Sequence, residues 1–168
     1  MDLSEGGSIK VTVDTSKITV ITADMFISAL KTAGIDHGHI YVTSPVPATG
    51  ESALAGIMNS YEEATNVTIP DNVKNAANDE IVTEAEIVES ENVTAEQVSD
   101  LVDNVKEIVI NQNITNHTTI VNIIYNYTVE NNLHLSNSSI EKLAITIENV
   151  QSVQDDVENY TKEVDKVL

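Results

Sequence analysis

Ile140, Leu143, Ile147, Val150, Val153, Val157, Tyr160 and Val164 succeed one another at steps of three and four residues, a spacing that an α-helix turns into a single apolar stripe. The end of the chain is therefore committed to helix, and that helix needs a surface to cover its stripe. Ser138 with Glu141 reads as a capping box at its start. Run to the C-terminus, the helix would extend about 45 Å at about 1.5 Å per residue, further than a small domain covers on one side. Its distal half is expected to pack on an antiparallel neighbour or on another chain. A homo-oligomer through the seam from Ile140 to Val164 is one way to satisfy it, and packing on the preceding helix is the other. Asp155, Asp156, Glu158 and Glu163 would oppose the macrodipole at the end of so long a helix, with Lys162 and Lys166 as partial offset.

Earlier segments of the chain carry stripes of the same kind. Thr94 and Gln97 form a capping box ahead of Val98, Leu101, Val102, Val105, Ile108 and Val109, an unbroken helical stripe. Residues 116–135 hold Ile120, Ile123, Ile124 and Tyr127 at helical spacing but with strand-type side chains, and read as helix. After Pro70 glycine disappears and helix formers dominate residues 71–89. The N-terminal part differs. Residues 9–13 and 18–22 are alternating β-branched runs around Asp14-Thr15-Ser16, which predicts a hairpin. Thr22 N-caps a helix carrying Phe26, Ala29, Leu30 and Ala33 and stopped by Gly34. Residues 40–43 form a strand bounded by Ser44-Pro45-Val46-Pro47. A second helix opens at Thr49 or Gly50, carries Leu54, Ile57, Met58 and Tyr61, and ends near Thr65-Asn66. The expected fold is α+β: an N-terminal β-hairpin and β-α-β-α unit, followed by a helical C-terminal region ending in a long amphipathic helix. Residues 1–68 make the small α/β unit and residues 69–168 the acidic helical region, packed on it or on a partner chain.

Charge narrows the function classes. The chain has 27 acidic side chains against 8 basic ones, all lysine, for a formal net charge of −19. Such a field repels phosphate backbones, and no arginine offers a bidentate phosphate contact, so nucleic acid is not an expected partner. An apolar fraction of 41% is too high for a disordered acidic tail. With no cysteine, disulfides, thiolate metal cages and cysteine nucleophiles are excluded. No apolar run approaches the roughly 18 residues of a membrane span, and the first ten residues lack the basic-then-apolar order of a signal peptide.

Ala29-Leu30, Ala33-Gly34-Ile35, Val42, Ser44-Pro45, Thr49-Gly50, Ala53-Leu54, Gly56-Ile57-Met58, Tyr61-Glu62 and Ala64-Thr65 together resemble the domain of unknown function 1002 family, the YpuA-like secreted proteins of bacteria and archaea. The resemblance covers residues 22–65 best, and Asp79-Glu80-Ile81-Val82 and residues 98–110 are similar in character to the family's later helices. Family members usually begin with an export signal, which implies an extracellular or cell-surface location and a chain that is a fragment or mature portion. The family carries no established activity, cofactor or catalytic residue. Where relatives tend to have glycine after Ala-Thr, this chain has Asn66, the residue next best suited to a left-handed cap.

That asparagine opens a sequon, and others begin at Asn92, Asn113, Asn116, Asn126, Asn137 and Asn159. They are N-glycosylation candidates for an exported protein, and also what an Asn- and Thr-rich composition produces by chance. Asp36, His37 and His39 put two imidazoles and a carboxylate in one turn, a partial ligand set for a transition metal set against an ordinary solvated turn. Thr43, Ser44, Thr49, Gly50 and Ser52 surround a strand-to-helix loop where amides could cradle an anion, although no phosphate-loop motif is present and capping explains the hydroxyls. Glu84, Glu86, Glu89 and Glu91, with Asp100 and Asp103, offer weak Ca²⁺ binding or a self-repelling solvated face; no EF-hand loop occurs, and no cofactor is otherwise called for. The leading functional reading is a non-enzymatic extracellular or cell-envelope protein serving interaction or envelope maintenance. An envelope hydrolase or metal-dependent enzyme with a site near residues 36–52 is the alternative, and a divalent-cation-binding surface module the third.

Overall fold

The structure, a computed structural model, describes residues 1–3, 7–14, 21–43 and 49–168. The first strand, β1 (Lys10–Val13), pairs in parallel with β2 (His39–Val42), from Lys10 opposite His39 to Val13 opposite Val42. Between them runs α1 (Ala23–Thr32), which the Thr22 hydroxyl caps by accepting from Met25 N and which Gly34 terminates at φ 77°. The crossover helix lies against β1 and makes a β-α-β unit. Of the expected second hairpin strand, residues 18–22, positions 18–20 lie outside the described residues, as do 15–17 before it; Ile21 is buried and Thr22 serves as the cap.

Helix α2 (Gly50–Thr65) begins at an N-cap Thr49 and ends at Asn66, whose φ of 55° is the left-handed cap the sequence called for. The rest is helical: α3 (Asp71–Ser90), α4 (Ala95–Asn111), α5 (His117–Glu130), α6 (Asn137–Ser152) and α7 (Gln154–Asp165). The Thr94–Gln97 capping box is present, and residues 117–130 are indeed helix, capped by Asn116. No helix among the described residues is long and apolar enough to cross a membrane.

Two details at the C-terminal end depart from expectation. Ser136, not Ser138, caps α6 by accepting from Ser139 N at 3.2 Å. The Glu91 carboxylate reaches over to accept from Ser136 N and from the Ser136 and Ser139 hydroxyls, while Glu141, the expected capping partner, is engaged by His117. The seam helix is also two helices, broken at Val153 (φ −101°, ψ 4°). Asp155 and Asp156 therefore sit in the first turn of α7, where the helix dipole favours them.

The break redirects the seam between two apolar cores. Ile140, Leu143, Ala144 and Ile147 join Val98, Leu101, Val102, Val105, Val109, Ile120 and Ile124 in a core formed by α4, α5 and α6. Beyond the bend, Val153, Tyr160 and Val164 join Phe26, Leu30, Ile40, Leu54, Met58, Tyr61 and Ile81 in a core beside the sheet. The seam is thus buried within the chain itself. Tyr160 fastens it by donating its hydroxyl to the Ala33 carbonyl.

Candidate functional site

Among the described residues, a dense convergence of polar side chains lies inside the protein. Helix α1 packs on both α3 and α4, and at that crossing each helix contributes a polar pair. Ser28 and Thr32 are one turn apart on α1, Glu80 and Glu84 one turn apart on α3, and Asp103 and Lys106 neighbour each other on α4. Lys106 Nζ lies 2.5 Å from Glu80 Oε1, 2.9 Å from Ser28 Oγ, and 3.0 Å from both Ser28 O and Thr32 Oγ1. The Glu80 carboxylate also accepts from the Ser28 hydroxyl at 2.8 Å and from the Thr32 hydroxyl. Asp103 Oδ1, half-exposed at the rim, is 2.6 Å from Ser28 Oγ and 3.8 Å from Lys106 Nζ.

Counting protons shows what this group can do. An ammonium has three N–H bonds, and four acceptors already surround that of Lys106. It has neither a lone pair to take a proton from Ser28 nor an N–H to spare for a ligand. The pair is therefore a clasp between helices, with Glu80 as the buried charge and the ammonium and two hydroxyls as its compensation. A surface cavity of about 250 Å³ reaches its edge, lined by Lys31, Thr32, Asp103, Lys106, Glu107 and Gln154 among others.

Glu84 stands apart from the clasp. It is fully buried and neither carboxylate oxygen has a hydrogen-bond partner. Desolvation pushes its pKa well above the usual carboxylate range, and the nearby Glu80 adds to the effect, against an opposing pull from Lys106. Burial thus favours the protonated, neutral form of Glu84.

The sequence-derived candidates are dispersed. His37 Nδ1 pairs with Asp36 Oδ1 at 3.0 Å beside a cavity of about 300 Å³ shared with Lys31, Tyr61 and Asp165. His39 turns to the sheet, where Nε2 meets Thr12 Oγ1 at 3.2 Å and the ring lies 4.3 Å from that of Tyr41. Among the described residues no three His, Asp or Glu side chains group to hold a metal ion. Thr43 donates to Asp14 Oδ2, and Thr49 Oγ1 caps Ser52 N at 3.1 Å. Gly50 is packed so closely on Ile21 that a Cβ would collide with it. Ser44 lies outside the described residues. Thr43 and Ser52 do share a depression of about 340 Å³ between β2 and α2. Glu86 faces Lys142 at 3.5 Å, and Glu91 is spent on capping α6. All seven sequon asparagines, from Asn66 to Asn159, are exposed.

The clasp was present in the sequence as an irregularity. Val73, Ala76, Ala77, Ile81 and Ile87 mark the buried stripe of α3, and Glu80 and Glu84 fall on it. Lys106 likewise stands one turn after Val102 on the buried side of α4. Charged residues on an apolar stripe were the available signal.

The family model described as "Protein of unknown function (DUF1002)" matches residues 1–167. The uncharacterized protein YpuA of Bacillus subtilis (strain 168) is 36% identical over 95 residues, which cover 56% of this chain and 32% of the relative. The chain thus spans about a third of that relative's length. No solved structure matches the chain.

Proposed function

The chain belongs to the DUF1002 family of proteins of unknown function, and from that membership we propose that it is a non-enzymatic protein of the cell exterior or envelope, serving interaction or envelope maintenance. One observation supports this reading above others. The polar side chains that converge around Glu80 and Lys106 are buried and hydrogen-bonded to one another, which suits them to joining helices. Among the described residues every carboxylate other than those of Glu80 and Glu84 is at least partly exposed, and a net charge of −19 favours solvation and rejects polyanions. Fractionation of native cells with an antibody against the chain tests the location, and full-length protein used as bait at the intact cell surface tests the interaction. Recovery outside the cytoplasm together with a captured envelope component is the expected outcome. Recovery in the cytoplasm contradicts it.

A further inference from the structure

Residues 108–129 contain no Asp, Glu or Lys, in a chain that otherwise carries 27 acidic and 8 basic side chains. The stretch centres on α5, whose inner side is closed by Ile120, Ile124 and Thr128 against α4 and α6. Its outer side presents Thr118, Thr119, Asn122, Tyr125, Asn126 and Val129, all exposed. Steps of three and four link Thr118, Asn122, Tyr125 and Val129, and likewise Thr119, Asn122, Asn126 and Val129, so the six share one face. Tyr125 is 56% and Val129 63% exposed, large side chains that cost less inside a contact than in water. We infer that this uncharged face of α5 is a docking surface for a neutral polysaccharide, which rests on the reading that the protein works outside the cell.

Charge and area select the occupant. A cationic partner would settle on the carboxylate-rich parts of the surface instead of on this uncharged face. A second copy of the chain would bring another −19 to a face about 21 Å long at about 1.5 Å per residue and about 10 Å wide. That area is a fraction of the roughly 800 Å² per partner that a stable protein interface buries, so self-association is opposed by repulsion and short of contact. A single sugar chain needs only such a strip. An aromatic ring offers its flat face to the apolar side of a pyranose, and each Asn amide both donates and accepts, the pairing that a sugar hydroxyl requires. Asn122 and Asn126 are one turn apart on this face and flank Tyr125.

The test is affinity electrophoresis of the full chain, produced without glycosylation, in gels containing dextran, soluble starch, mannan or a soluble β-glucan, with alginate as the anionic control. At least one neutral polymer should retard the protein, with little change between about 20 and 300 mM salt because no charge is involved. Tyr125→Ala should weaken retardation by at least about tenfold and Tyr125→Phe should retain it, since the ring face and not the hydroxyl makes the contact. Thermal unfolding of both variants, expected to match the parent, separates lost binding from lost fold. Retardation by none of the neutral polymers, or retardation indifferent to Tyr125→Ala, overturns the inference. So does a Tyr125-dependent dimer in light scattering, or a glycan on Asn126 of the native protein, which would cover the face. Location outside the cell with no retardation would leave the broader reading standing and remove this one.

Discussion

Lys106 Nζ and Glu80 Oε1 stand 2.5 Å apart at the crossing of α1, α3 and α4, and the contact joins the consecutive helices α3 and α4 beside the sequence-distant α1. Because Ser28 and Thr32 complete the shell around the ion pair, removing either charge leaves the other buried without its nearest counter-charge. The remaining consequences of the fold can be measured one at a time.

Glu84 should make the protein less stable as pH rises. Its folded pKa is raised by burial and by the adjacent Glu80, so the folded state holds a proton that the unfolded state gives up. Stability is full below the unfolded carboxylate value and is lost progressively as pH rises towards the folded value. Glu84→Gln should flatten that slope and equal or exceed the parent at pH 8 in urea unfolding. A variant with the parent's slope would show that Glu84 does not bury a proton.

His117 should act in the same direction over a different range. Its Nδ1 meets Glu148 at 2.9 Å and its Nε2 meets Glu141 at 2.8 Å, an arrangement that needs N–H on both nitrogens. The hydrogen bonds to Glu148 and Glu141 raise its pKa. Its contribution is therefore present below the ordinary imidazole value and lost as pH passes the raised one. An NMR titration of the ring should show the elevated midpoint, Glu148→Gln should lower it, and 1 M salt should erode the difference.

Gly34→Ala should destabilise the sheet-side core. At φ 77° a side chain is strained, and a Cβ there would lie 2.7 Å from Tyr160 Oη and 2.8 Å from Thr161 Cγ2. Strain plus the displaced hydroxyl of Tyr160, which bonds Ala33 O, should cost about 1–3 kcal/mol, read as a shift in the urea midpoint at unchanged slope.

Much of the fold was legible because it is local. Thr22, Thr49 and Thr94 cap their helices, Asn66 and Gly34 end theirs, and the stripes of α4 and α5 follow from spacing alone. The break at Val153 was not, because the residues on either side keep helical spacing and the bend arises where α6 and α7 serve different cores. Ser136 displaced Ser138 as cap for a tertiary reason, the arrival of Glu91 from the end of α3. The clasp needed three helices to be in place before Ser28, Glu80 and Lys106 could meet, and nothing in the spacing of one helix announces its neighbours. For the same reason the spacing of His37 and His39, two positions apart, does not reveal that one stays in the turn beside Asp36 while the other enters β2 and meets Thr12.

The polar groups converging on Glu80 and Lys106 join three helices, and a double-mutant cycle on these two residues tests this most directly. Urea unfolding of Glu80→Leu and Lys106→Met singly should each show a loss of about 3–5 kcal/mol, with the double variant recovering much of the sum because no charge is left unpaired. Single variants that unfold like the parent, or losses that simply add, would contradict the clasp and return these side chains to consideration as a reactive site.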